Sequence, residues 1–227
     1  MVKKICLCFL GLGFFGLIGI PTATFGQGRQ FEVRQVPLSS GGATYLQMAL
    51  NSLADNTGTT VTSSVINMSN HFPGRFPDNG FPDPTQVENF AVEIRANVVV
   101  GKNNLLWTFG VGSDDGFLLE IEGGMFLAFA ETVGIGGDGP ITGISGNRMF
   151  YPALRWYAES YGVFQFSRPG IYRVRLVYYN GPGTALLDFF AGRGNQLTDL
   201  PNAEFYLVND SHPNALQLVP LVAREKR

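Results

Sequence analysis

The sequence predicts an antiparallel β-sandwich or jelly roll with one short N-terminal helix, on three observations. Apolar and polar residues alternate over many short runs, Gly- and Pro-rich turns separate those runs, and helical spacing occurs once. The chain has 227 residues, 45% apolar and 13% aromatic with only 15% charged, which is enough to bury one sizeable core. Sixteen Lys+Arg stand against 18 Asp+Glu, a net charge of −2. A mildly acidic chain has no electrostatic footprint for nucleic acid.

The first residues read as an address. Lys3 and Lys4 precede an apolar and glycine run from Ile5 to Ile20, which small residues close at Pro21–Gly26. This is the layout of a secretory signal peptide over residues 1–26, and the run is shorter than the roughly 20 residues that span a bilayer. Export to the periplasm, cell surface or medium is therefore expected, with one β-sandwich domain over 27–227 and no membrane span in the mature form. Both cysteines, Cys6 and Cys8, fall in the leader. The mature chain must hold itself together by core size or by a bound ion rather than by disulfides.

Tyr45, Leu46, Met48, Ala49, Leu50 and Leu53 recur at helical spacing before Asp55-Asn56-Thr57-Gly58, which predicts a short helix ended by a turn. Strands follow. Val92, Ile94, Ala96 and Val98 alternate with Glu93, Arg95 and Asn97, and Trp107, Phe109 and Val111 repeat the period of two. The same pattern marks 117–121, 164–166, 172–178 and 187–189. Each such strand is expected to bury one face and wet the other. Residues 70–84 hold four prolines and read as a structured loop, since proline lacks a ladder donor. Residues 132–148 hold six glycines and little to bury, which predicts a long excursion between strands.

Most catalytic constellations fail on inspection. The mature chain has no thiol, and two distant histidines, His71 and His212, argue against a zinc centre. Gly143-Ile144-Ser145-Gly146 does not make a nucleophile elbow, and Gly134–Gly139 opens no helix in a βαβ unit. Glu120 and Glu122 share a strand face as glycosidase carboxylates could, but half-wet strands look the same. Asp114 and Asp115 differ. They end the strand that begins near Trp107, in Gly112-Ser113-Asp114-Asp115-Gly116, where the chain must turn sharply. The pair is either an ordinary turn or a seat for a hard, oxygen-seeking cation such as Ca²⁺.

Two blocks extend this reading: LWTFGVGSDDGFLLEIEGG (105–123) and FQFSRPGIYRVRLVYYNGPGTALLDFFAGRG (164–194). Together with the proline-rich approach and FAVEIRANVVV, they resemble the lectin-like β-sandwich family named after the fourteen-kilodalton region of anthrax protective antigen. That family recurs in yeast flocculins and in many exported bacterial proteins. The resemblance covers roughly residues 70–194 and is weaker over 34–69.

It implies that Asp114 and Asp115 are joined by a cis peptide and bind Ca²⁺ with the Asn180 side chain, the carbonyls of Pro182 and Thr184 completing the ligand set. The metal's open positions would then accept two vicinal sugar hydroxyls. The second loop, Gly181-Pro182-Gly183, is short and lacks the aromatic residue that some flocculin-like members place there. Trp156, Tyr157 and Tyr161 are candidate stacking rings from elsewhere, Trp156 first among them, although large aromatics ordinarily favour the core. Asn180-Gly181 also reads, by itself, as a hairpin turn signal.

The expected function is an exported, non-catalytic, calcium-dependent carbohydrate-binding module with a glycan or glycan-bearing surface as partner. The alternative is a structural or adhesive envelope protein in which the Asp-Asp turn only stabilises the fold.

Overall fold

Period-two alternation builds two antiparallel sheets in a computed structural model that describes residues 28–39, 42, 44–55, 57–70, 74–76, 79–132 and 142–221. The expected leader (1–26), His71 and the Gly134–Gly139 run lie outside the described residues.

In chain order the strands are β1 (Phe31–Pro37), β2 (Thr59–Ser63), β3 (Asn67–Ser69), β4 (Phe90–Val100), β5 (Leu106–Asp114), β6 (Phe117–Ile121) and β7 (Gly124–Glu131). Then come β8 (Gly143–Ser145), β9 (Arg148–Tyr151), β10 (Ala158–Phe166), β11 (Gly170–Asn180), β12 (Leu186–Arg193), β13 (Tyr206–Leu207) and β14 (Leu218–Val219). The helix α1 (Tyr45–Asp55) follows β1, as its apolar spacing predicts, and a 3-10 turn covers Leu197–Asn202. No helix among the described residues is long and apolar enough to cross a membrane.

The first sheet runs β2-β1-β4-β11-β6-β9-β8 with β14 added on β4; the second runs β13-β12-β5-β10-β7 with β3 on β12. The inward faces interdigitate through residues such as Phe31, Phe90, Phe109, Phe164 and Phe189, all fully buried. Phe109 touches Phe164, Phe166 and Phe189 at centroid separations of 6.1–6.3 Å.

The expectation of one wet face per strand is corrected. In β4 only Arg95 and Val99 are exposed, and in β5 every residue but the two ends is buried. The outer faces are covered by distant segments. On the first sheet α1 packs Ala49 and Leu53 against Val36, Ala91, Leu118, Val177 and Tyr179, and the Tyr45 ring stacks on Tyr179. On the second, Phe205, Phe76 and Leu197 cover Tyr161 and Phe190.

The glycine-rich excursion is also corrected in part: its end forms β8, which pairs with β9 in a hairpin that places Ile144 opposite Met149. Glu120 sits on the outer face of β6, half-buried rather than fully solvated and ion-paired to Arg148 and Arg175 at 2.8 Å each.

Candidate functional site

Three segments pass from one sheet to the other at the same end of the sandwich. β5 belongs to the second sheet and β6 to the first, so Asp115-Gly116 is a crossing; residues 181–185 cross from β11 to β12, and residues 152–157 from β9 to β10. Gly116 is required here, because a Cβ would lie 2.1 Å from the Tyr179 hydroxyl and 2.6 Å from the Tyr151 carbonyl oxygen. Asn180-Gly181 is not a hairpin turn, since the strands it joins lie in different sheets.

The Asp114–Asp115 peptide is cis. Asp115 is 6% exposed and ties all three crossings together: its Oδ1 accepts the Arg155 backbone N–H at 3.0 Å and its Oδ2 the Gly181 N–H at 2.8 Å. Burial pushes its carboxyl up to about 6, against the pull of those two donors. Asp114 is half-buried, accepts the Thr184 hydroxyl on Oδ2 at 2.9 Å, and is also raised by burial.

Asn180 is fully buried beside them. Its amide nitrogen donates to the Gly181 carbonyl at 2.9 Å and the Val87 carbonyl at 3.4 Å, which fixes the amide orientation and leaves Oδ1 as the acceptor. The Tyr178 hydroxyl approaches Oδ1 at 3.4 Å. That hydroxyl has one proton, and it donates to the Asp114 carbonyl while accepting the Leu186 N–H at 3.2 Å. Burial holds the Tyr178 phenol well above its ordinary range, so it stays a donor. The Asn180 oxygen is thus a buried acceptor that shares the Tyr178 hydroxyl, at a long 3.4 Å, with the Asp114 carbonyl.

Asp114, Asp115, Asn180 and Thr184 are therefore brought to one rim. Pro182 lies on its exposed lip. The donor set is all oxygen, and no three His, Cys, Asp or Glu side chains gather among the described residues. Such a set fits a hard cation and not a thiolate- or imidazole-seeking one. His212 is stacked on Tyr206 instead.

The core expectation for the three aromatic rings holds for Tyr161, 3% exposed, and fails for Trp156, 66% exposed. The reason is local. Arg155 turns inward and hydrogen-bonds the end of β5, and its neighbour Trp156 turns out, one residue from the contact with Asp115. Tyr157 is half-buried and donates to Glu159 at 3.0 Å.

Sequence reasoning missed Arg155, the Tyr178 hydroxyl and the Val87–Asn89 segment, whose Asn89 N–H holds the Gly181 carbonyl at 3.0 Å. Tyr178 could have been found, because a buried tyrosine needs a partner for its hydroxyl. Arg155 carried no signal.

No family model and no curated protein matches the sequence. Among solved structures the chain is similar to a PA14 sugar-binding domain from an RTX adhesin, with 14% identity, TM-score 0.49, 79% of this chain and 96% of that one covered. It is similar to an anti-sigma factor domain-containing protein from Clostridium clariflavum (14%, TM-score 0.48, 86% and 49% covered). A third is the A domain of epithelial adhesin 6 from Candida glabrata, solved in complex with Galb1-3GlcNAc (13%, TM-score 0.46, 90% and 96% covered).

Proposed function

We propose that this chain is an exported, non-catalytic carbohydrate-binding module that holds Ca²⁺ at the Asp114–Asp115 rim and binds glycans through it. The observation that carries the reading is the Asn180 oxygen. It is a fully buried acceptor whose contact with the Tyr178 hydroxyl is long, at 3.4 Å, on the same rim as two carboxylates that burial disfavours as bare anions. A cation would give all three side chains one common partner, a role that a lone turn does not ask of them.

Asp114, Asp115 and the Asn180 side chain would hold the ion, with the carbonyls of Pro182 and Thr184 as remaining donors. Bound Ca²⁺, which takes 6–8 oxygen ligands, supplies open positions for two neighbouring sugar hydroxyls. The chain's own residues do the rest. The Arg155 and Gly181 amides keep the Asp115 carboxylate from rotating, Tyr178 pins the Asp114 carbonyl, and Trp156 offers an exposed ring to a sugar's apolar face. The sugar class rests on the sequence resemblance.

Calorimetric titration of Ca²⁺ into the purified protein, followed by a glycan array with and without chelator, tests the reading. Binding of one Ca²⁺ that Asp114→Asn abolishes, and array retention lost in chelator, are the expected results; no heat with Ca²⁺ defeats it. A second reading is favoured by the two backbone N–H groups already on Asp115: the turn braces the fold of a structural or adhesive envelope protein. Calcium-dependent melting without retention on any glycan would select that one.

A further inference from the structure

Beneath the rim lies a buried ion pair that neither the sequence pattern nor the ligand set accounts for. The Arg155 side chain is 5% exposed and Glu131, at the end of β7, is 10% exposed, with Nη1 2.8 Å from Oε1. Every arm of the guanidinium is engaged: Nε on the Ser113 carbonyl at 3.3 Å, Nη1 also on the Ser160 hydroxyl at 2.8 Å, and Nη2 on the Ser113 hydroxyl at 2.7 Å and the Ala158 carbonyl at 3.0 Å. Its Cζ lies 4.5 Å from the Tyr151 ring centroid. The other Glu131 oxygen accepts the Thr142 hydroxyl at 2.8 Å. The fork is thus fixed to the residue just before Asp114, while the backbone of Arg155 itself holds Asp115.

Arg155 poses an electrostatic difficulty for a cation site. It is a buried positive charge whose field reaches both aspartates, and in a poorly screened interior such a charge opposes a divalent ion. Glu131 removes the difficulty. With the pair neutral, the rim keeps the two negative charges of Asp114 and Asp115, which match Ca²⁺.

We infer that Glu131 is a positioning residue of the rim: through its ion pair with Arg155 it cancels a positive charge buried against the two aspartates, so that Arg155 can brace them without repelling the cation. This rests on the calcium reading above. Glu131 contacts no candidate ligand, and it acts only through Arg155.

The test is calcium affinity by calorimetry at fixed salt on the full chain, in wild type, Glu131→Gln, Arg155→Gln and the double variant. Glu131→Gln keeps the shape and a hydrogen-bond acceptor but exposes the rim to an uncompensated charge, and should weaken Ca²⁺ binding about tenfold. In the double variant the interior is neutral again, and affinity should recover most of that loss even though the double variant is the less stable protein. A purely structural role cannot produce that recovery. If Arg155→Gln variants do not fold, the salt dependence of Glu131→Gln decides: added NaCl from low ionic strength should narrow its gap to wild type. Equal affinities of wild type and Glu131→Gln, or a double variant weaker than Glu131→Gln, overturn the inference and leave the calcium site standing. Wild type that binds no Ca²⁺ overturns both.

Discussion

The Gly181 N–H meets Asp115 Oδ2 at 2.8 Å, and this contact ties the β5–β6 crossing to the β11–β12 crossing across 66 residues of chain. The opposite oxygen of the same carboxylate holds Arg155, so one side chain anchors two separate loops. Asp115→Ala should then cost about 1–3 kcal/mol in chelator, because two buried backbone donors lose their acceptor. Urea unfolding in chelator measures it. A loss within about 0.5 kcal/mol, the range of an uninvolved surface change, would mean that the crossings are held by their own backbone.

Tyr178→Phe removes a hydroxyl that the Asp114 carbonyl and the Leu186 N–H both use. The ring is fully buried between Phe81 and Phe90, so water cannot replace the oxygen, and the variant should lose about 1–3 kcal/mol with or without Ca²⁺. Equal urea midpoints for the two proteins would show that the hydroxyl is dispensable.

Acid should act on the protein through Glu93. It is 4% exposed on the outer face of β4, where Arg95 and Arg175 stand directly opposite one another. Glu93 Oε1 lies 2.7 Å from Arg175 and Oε2 2.9 Å from Arg95. Burial alone would raise its carboxyl, but the hydrogen bond and charge of Arg175 and the charge of Arg95 outweigh it and hold the group below its ordinary 4.5. A carboxylate with a depressed folded value is protonated more readily in the unfolded chain. Its stabilisation is therefore complete above about 4.5 and fades as pH falls through the lower folded value. Urea midpoints between pH 6 and pH 3 should fall less steeply for Glu93→Gln than for wild type; parallel curves would remove Glu93 as the cause.

The inward halves of the strands were legible in the sequence because alternation is a local signal. Val92, Ile94, Tyr178 and Phe189 all face the shared core as their period predicts. The outer faces were not legible. Ala91, Glu93 and Val177 are buried, or nearly so, by partners from other parts of the chain, α1 and the arginines of neighbouring strands, and no window around them records that. At the rim, Asp114, Asp115 and Asn180 could be read from motif resemblance. The full burial of Asn180 could not, because Asn-Gly looks like an exposed hairpin until the two strands are known to lie in different sheets.

Gly116 tests how tightly the rim is built. A methyl group there would meet the Tyr179 hydroxyl, which is itself held by donating to the Ala153 carbonyl at 2.8 Å, with the Tyr151 carbonyl 3.2 Å away as the longer branch of the same proton. Nothing nearby can yield cheaply, so Gly116→Ala should destabilise by about 1–3 kcal/mol, the usual cost of overpacking. Thermal melting with and without Ca²⁺ measures it; a neutral substitution would mean that Tyr179 is free to move.

Trp156 separates recognition from folding. Its ring is 66% exposed, so truncation removes little packing and Trp156→Ala should stay within about 0.5 kcal/mol of wild type in urea unfolding. The residue before it holds Asp115 through its backbone N–H, which keeps the indole close to the rim whatever its own side chain does. Calcium affinity should therefore be unchanged, since no ligand oxygen is lost. Glycan retention should drop several-fold, on the scale of about 0.5–1.5 kcal/mol for one aromatic contact. Unchanged retention, measured on the same array at saturating Ca²⁺, would remove Trp156 from the recognition surface while leaving the cation site intact. Loss of calcium binding in this variant would instead show that the 152–157 crossing, and not the ring, is what the substitution disturbs.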